Sequence, residues 1–393
     1  MYAIKNVSLP GKPGTVNILI ENGRIQAIGP EVSCAEAASV MDATGLYAIP
    51  GLIEAHTHMG GSSSFEYPSC GATHETYDYV VAREGFLQWG VTAVRTCGDR
   101  TNDVLAFREK ANSGKIRSPR IVCCGLFIQA VEGHPRATVY MRQLEIAKEA
   151  VIFADESIIP AERQANIARL GVDYIKVFYA HLNKVEPQHP VPRLTREQLH
   201  RIVESAHRNK LRCAVHVDGP EEMADAVDAG ADSIEHMIGA NGESTCFSPE
   251  LIAKVKQSGV IVVPTMISIH RFDDTPGYTP VYEQLKVAVK QFYDAGIPLA
   301  VGCDSGIPFV PQGESLHDEM VCLAEAGIPN LEILRMVSET NAKLVGLEAE
   351  IGSLEAGKRA DMVLLGADPA EDIQNTRNIR MVFLNGHIVI DKL

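Results

Sequence analysis

A (β/α)₈ TIM barrel with a small flanking β-sandwich built from both chain ends is the fold class that this sequence predicts. Three observations carry it. Short apolar or β-branched runs recur at 51–56, 91–96, 120–124, 174–178, 211–217, 232–236, 259–264 and 298–303, separated by amphipathic or polar stretches such as Arg196–Asn209 and Pro220–Ala229. That α/β alternation fills slightly more than the ~250 residues typical of the barrel. Both ends of the chain read as β-hairpins. Finally, no GxGxxG follows the first run and opens a helix, which speaks against the rival doubly wound open sheet.

At the N-terminal end Val16-Asn17-Ile18-Leu19-Ile20 alternates towards Asn22-Gly23, a dipeptide suited to a type I′ turn, and Arg24-Ile25-Gln26-Ala27-Ile28 returns. At the other end Asp361-Met362-Val363-Leu364-Leu365 is followed by Met381-Val382-Phe383-Leu384, which meets Asn385-Gly386 and returns through His387-Ile388-Val389-Ile390. Pairing the two ends requires the central segment to be inserted between them. Residues 1–50 plus 350–393 are therefore expected to form the flanking domain, and 51–349 the barrel.

Composition narrows the function. The 393 residues hold 36 Lys and Arg against 50 Asp and Glu, a net charge of −14 with His neutral. Such a surface repels phosphate backbones, so nucleic acid is not expected as a partner. No run of 18 uncharged apolar residues occurs, and the N-terminus has no apolar stretch leading to a small-residue cleavage site, so no membrane association and a cytoplasmic location are expected. Nine cysteines include no CxxC pair, and they read as small buried groups in a reducing compartment rather than as a disulfide framework or zinc ribbon.

In a barrel of this kind the chemistry sits at the C-terminal ends of the strands. The first run, Gly51-Leu52-Ile53-Glu54-Ala55, ends in His56-Thr57-His58, and side chains two apart on a strand share a face, so both imidazoles can meet one cation. The fourth run carries Lys176 inside an otherwise apolar strand. It either snorkels to solvent or, if buried, loses its proton and captures CO₂ as an anionic carbamate. The fifth and sixth runs end at His216 and His236, each readable alone as a hydrogen-bonded core histidine. The eighth delivers Asp304 before Ser305-Gly306, where a carboxylate is also a turn former. Together, four imidazoles, a lysine and a carboxylate at strand ends match a two-metal hydrolytic site, with Zn²⁺ suited to the donors and Mn²⁺ or Co²⁺ acceptable.

The block Pro50-Gly51-Leu52-Ile53-Glu54-Ala55-His56-Thr57-His58 with Lys176, His216, His236 and Asp304, in that order, resembles the amidohydrolase superfamily. The stretch HVDGPEEMADAVDAGADSIEH (216–236) is similar to its imidazolonepropionase-like and Xaa-Pro-dipeptidase-like members, and IGSLEAGKRADMVLL (351–365) is a further signature. The resemblance implies that His56, His58 and Asp304 hold the more buried of two divalent ions. His216 and His236 would hold the more exposed one, and carboxylated Lys176 would bridge the pair together with a hydroxide. Asp304 would move the proton from the attacking water to the departing nitrogen.

Substrate residues are less sharply defined. Gly133-His134 resembles the Gly-His such relatives use near the substrate, so His134 is expected to steady the oxyanion or a substrate carboxylate. Tyr179, His181 and Arg271 follow strands four and seven and are expected to line the pocket. Where prolidase-like relatives place a Ser/Thr-Gly-Gly stretch after the lysine, this chain has Val177-Phe178-Tyr179-Ala180-His181, a bulkier wall. The expected activity is hydrolysis of an amide bond in a small substrate, a dipeptide or N-acyl amino acid. The alternatives are cyclic amide or lactone opening, heterocycle deamination, and a non-catalytic scaffold. By analogy a homo-oligomer is expected.

Overall fold

The structure is a computed structural model, and it describes residues 1–60, 74–125, 127–135, 151–154, 168–181, 189–238, 246–273, 280–307 and 309–393. Alternating apolar residues at both ends of the chain build one eight-stranded sheet. It combines β1 (Tyr2–Ser8), β2 (Thr15–Glu21), β3 (Arg24–Gly29), β4 (Ser39–Asp42) and β5 (Tyr47–Pro50) with β15 (Met362–Leu365), β16 (Ile379–Leu384) and β17 (His387–Asp391). Its order is β17-β16-β15-β5-β1-β2-β3, with β4 also on β1. The ends join where β5 meets β15 antiparallel, Ile49 opposite Val363. Both expected turns form with positive φ at each central residue, 50° and 77° at Asn22-Gly23 and 50° and 75° at Asn385-Gly386, as a type I′ turn requires. Ile4, Ile18, Ile25, Met362, Leu364 and Phe383 make a core of their own.

Between these ends lie parallel strands. β6 (Leu52–Thr57), β7 (Val91–Thr96) and β8 (Arg120–Cys123) form one sheet. A second runs β10-β9-β11-β12-β13-β14, from β9 (Phe127–Ala130), β10 (Val151–Ala154), β11 (Tyr174–Phe178), β12 (Arg212–His216), β13 (Ser233–Glu235) and β14 (Ile261–Val263). β6, β7 and β11 are buried along their whole length, with the helix Asn341–Leu344 packed on β6 and His74–Gln88 on β7, while Arg196–Arg208 packs on β12. The first of these helices opens with a capping box, Thr195 accepting from Gln198 N and Gln198 returning the bond. Among the described residues no helix is long and apolar enough to cross a membrane.

Two details depart from the sequence expectation. β9 and β10 are additional strands, β9 pairing with β11 at Lys176 and Val177. The eighth run is not a regular strand but a connector held by isolated bridges, Val262 with Leu299 and Thr57 with Ser305. Its backbone nevertheless spans both sheets, through Ala300 N to Val262 O (2.9 Å) on one side and Ala55 N to Val301 O (3.1 Å) on the other. Asn341 takes over part of the ladder, its amide donating to the carbonyls of Ile53 and Val301 while its oxygen accepts from Val301 N. Gly302 permits this approach: a Cβ there would stand 2.7 Å from His56 N and 2.8 Å from Val263 Cγ1. Gly302→Ala is expected to lower stability by about 1–3 kcal/mol through overpacking, read as a lower urea midpoint; an unchanged midpoint would contradict the tight fit.

Candidate metal centre

The ends of β6, β12, β13 and the eighth segment bring the expected side chains together. His56 and His58 share a face of β6. His56 Nδ1 lies 2.7 Å from Glu235 Oε2, and His58 Nδ1 lies 2.9 Å from the Gly98 carbonyl. A carboxylate and a carbonyl only accept, so both rings carry a proton on Nδ1 and direct Nε2 towards Asp304. Asp304 Oδ1 stands 3.4 Å from Nε2 of His56 and 3.2 Å from Nε2 of His58. The side chains of His58 and Asp304 are 17% and 13% exposed against 1% for His56, so His58 and the carboxylate face the mouth while His56 lies deeper.

His236 is set by Thr265, whose Oγ1 lies 2.6 Å from Nδ1. Its ring centroid is 4.9 Å from that of His56 and 4.3 Å from that of His216. His216 Nε2 contacts Asp218 Oδ1 at 3.2 Å, which turns Nδ1 to the opposite side. His134 follows, its ring 5.1 Å from His216. His236, Thr265 and Asp304 adopt φ of 68°, 49° and 58°, left-handed geometry that non-glycine residues rarely hold and that clusters at functional sites.

The donor set suits divalent ions. His56, His236 and Asp304 each offer a ligand atom within 4.8 Å of the others. Lone-pair atoms this close repel unless a cation or protons lie among them, and imidazole with carboxylate is what Zn²⁺ accepts. Burial opposes charge on Asp304, yet contact with His58 and the charges of His56 and His236 hold its carboxyl well below the usual carboxylate range. Burial likewise opposes the His56 imidazolium, but Cys97 and Glu235 push it up to about 9. Lys176 is fully buried, and its Nζ has no hydrogen-bond partner among the described residues; the Phe178 ring lies 5.1 Å away.

The structure gives three expected pocket residues the following partners. Tyr179 is offset by one from Phe178 and therefore faces the helices, where its hydroxyl donates to Asp225 at 2.7 Å and the Arg193 guanidinium covers its ring. His181 sits at the rim with Nδ1 2.7 Å from Glu222. Arg271 falls in the second turn of the helix Met266–Asp273, which begins three residues after β14 and carries it outward to an ion pair with Asp318 (3.0 Å).

Sequence reasoning missed the buried charges below the site. Arg95 on β7 bonds Glu235 Oε1 at 2.8 Å and Ser233 Oγ at 2.9 Å. Despite burial, Arg95 holds the Glu235 carboxyl well below its ordinary value. Glu54 accepts from His56 N (2.9 Å), Cys303 N (3.1 Å) and the Cys303 thiol (2.6 Å), tying β6 to the eighth segment, and burial pushes its carboxyl up to about 7. Asp99 takes the amides of Met59 and Gly60 and so shapes the chain just beyond His58. Each is a charge inside an apolar run or just past its end, the feature that drew attention to Lys176.

Residues 47–389 match the amidohydrolase family. The chain belongs to the amidohydrolase family. It is 26% identical over 380 residues to an imidazolonepropionase of Geobacillus kaustophilus, covering 88% of this chain and 83% of that one. The structure of a Xaa-Pro dipeptidase with methionine bound in its active site superposes with a TM-score of 0.83 at 24% identity, over 98% of this chain and 99% of the other. That of the Aspergillus niger ochratoxinase gives 0.82 at 21%, over 100% and 97%. The fold of this amidohydrolase is accordingly TIM-barrel-like α/β. As a member of the imidazolonepropionase-like and dipeptidase-like subgroup, the enzyme hydrolyses C–N bonds in small amide substrates.

Proposed function

We propose that this amidohydrolase cleaves the amide bond of a dipeptide or N-acyl amino acid at a centre of two divalent ions, most simply Zn²⁺. The observation that carries the reading is the buried Lys176 amine without a hydrogen-bond partner among the described residues, beside four converging histidines and Asp304. A buried ammonium is costly, whereas a neutral amine captures CO₂, and the carbamate offers two oxygens to two cations. His56, His58 and Asp304 would hold the deeper ion, His216 and His236 the outer one, with carboxylated Lys176 shared. Such ions supply an acidified water and a polarised carbonyl.

The remaining steps belong to the chain. Asp304, ionised and facing the mouth, takes the proton of the attacking water and passes it to the departing nitrogen, which leaves poorly unless protonated. His134, beside His216, steadies the developing oxyanion or a substrate carboxylate. Phe178, packed between Phe127 (4.8 Å) and His134 (5.4 Å), narrows the wall next to the metals. Tyr179, His181 and Arg271 shape the rim and its supporting helices rather than touch the scissile bond. We assign residues 51–349 to a closed (β/α)₈ barrel, 1–50 plus 350–393 to a flanking sandwich, and the enzyme to a cytoplasmic homo-oligomer.

Metal analysis is expected to return about two divalent ions per chain, and zinc-loaded protein should hydrolyse members of a dipeptide and N-acyl amino acid library. Turnover confined to cyclic amides or lactones would instead favour the second reading, which the likeness to an imidazolonepropionase supports. Protein that takes up no metal would sink both.

A further inference from the structure

We infer that Glu235 is a positioning residue for His56, and that Arg95 dictates which face of the Glu235 side chain meets that histidine. The inference rests on the metal centre proposed above. Glu235 uses its two oxygens differently. Oε1 is saturated by donors, Arg95 Nη1 at 2.8 Å and Ser233 Oγ at 2.6 Å, while Oε2 accepts from His56 Nδ1 at 2.7 Å. Arg95 is itself fixed: Nη2 bonds Ser233 Oγ at 2.9 Å, Nη1 reaches the Ala55 carbonyl at 3.3 Å, and Cζ lies 4.3 Å from the Tyr174 ring centroid. All these groups are buried, so no water replaces a lost bond.

His216 also meets a carboxylate, Asp218 at 3.2 Å, whereas His58 and His236 are held by neutral partners. His58 faces the Gly98 carbonyl, and His236 faces the Thr265 hydroxyl, which either donates or accepts. His56 differs in that its carboxylate partner is itself paired with a buried guanidinium, that of Arg95. A carboxylate behind a metal-binding imidazole fixes its tautomer and raises its basicity, and removing one typically costs 10–100-fold in metal affinity.

Glu235→Gln tests this because Arg95 leaves the amide no choice. Arg95 can only donate, so the amide oxygen must stay on the Arg95 side and the NH₂ must face His56 Nδ1. A donor there requires Nδ1 to be the lone-pair nitrogen and puts the ring proton on Nε2, where a metal should bind. The expected result is chelator competition showing zinc affinity about 10–100-fold weaker, with ¹⁵N-histidine spectra of the metal-free protein changing from Nδ1–H to Nε2–H for His56. Those spectra are taken over a rising pH series and read on the plateau where the ring is neutral. Adding Arg95→Met removes the obligatory donor, lets the amide turn over, and should restore both the Nδ1–H form and most of the affinity.

Unchanged affinity in Glu235→Gln, or a His56 that keeps Nδ1–H there, overturns the role of Glu235. A double variant no better than the single one overturns that of Arg95. If Glu235→Gln does not fold, the double variant lacks its uncompensated buried charge, and an Nε2–H ring in metal-free wild type also overturns the inference. The tautomer is read without metal, so a wild-type protein that binds no zinc sinks the metal centre while leaving this result to stand or fall alone.

Discussion

Lys176→Ala is expected to lower the metal content from about two ions per chain to one or none and amide hydrolysis by about a thousandfold or more, the loss that follows when water is no longer acidified. The size of the effect comes from the setting. Lys176 is fully buried on β11 with no hydrogen-bond partner for Nζ among the described residues, and it sits on the same strand face as Phe178, whose ring lies 5.1 Å away. A methyl group in its place cannot form the proposed carbamate and leaves Asp304 alone to serve the histidines at the ends of β6, β12 and β13. Short carboxylates such as formate should restore part of the activity by entering the space. Metal analysis with and without formate checks both halves; full activity in the variant with no added carboxylate would remove the bridging role.

Asp304→Asn is expected to lower kcat by about 10²–10⁴-fold with the fold intact. Asparagine tolerates the left-handed backbone found here, φ 58°, and the bond from residue 304 N to the His56 carbonyl (2.8 Å) is unaffected. What disappears is the negative oxygen that both imidazoles of β6 approach and the acceptor for the water proton. Steady-state kinetics beside a circular-dichroism melt separates these contributions. A variant that keeps its melting temperature and turns over within about tenfold of the parent would show that another group moves the proton.

The residues that end strands were legible from sequence because period-two alternation gives each one a face, and His56, His58, His216, His236 and Asp304 do converge. The same periodicity, applied one residue further, would have sent Tyr179 to the helix layer. Arg271 is placed by a different feature: the helix Met266–Asp273 starts so soon after β14 that a residue eight beyond the strand reaches Asp318. The eighth run has strand composition but Gly302, Asn341 and isolated bridges replace a regular ladder, and within 298–303 Gly302 alone hints at it. Arg95, Glu54 and Glu235 were hidden by the assumption that an apolar run is apolar throughout. Which buried charge meets which depends on strands far apart in sequence, and only the tertiary arrangement supplies that.

The meeting of β5 with β15 also governs how the molecule comes into being. Ile49 finds its partner Val363 only after the intervening chain has been synthesised, so β1 to β5 leave the ribosome as an unfinished half-sheet with an open edge at β5. Contacts this remote are slow to form, and an unpaired edge is prone to aggregate while it waits. Truncations that delete β15 to β17 should therefore yield insoluble protein even though every histidine of the metal centre is still present.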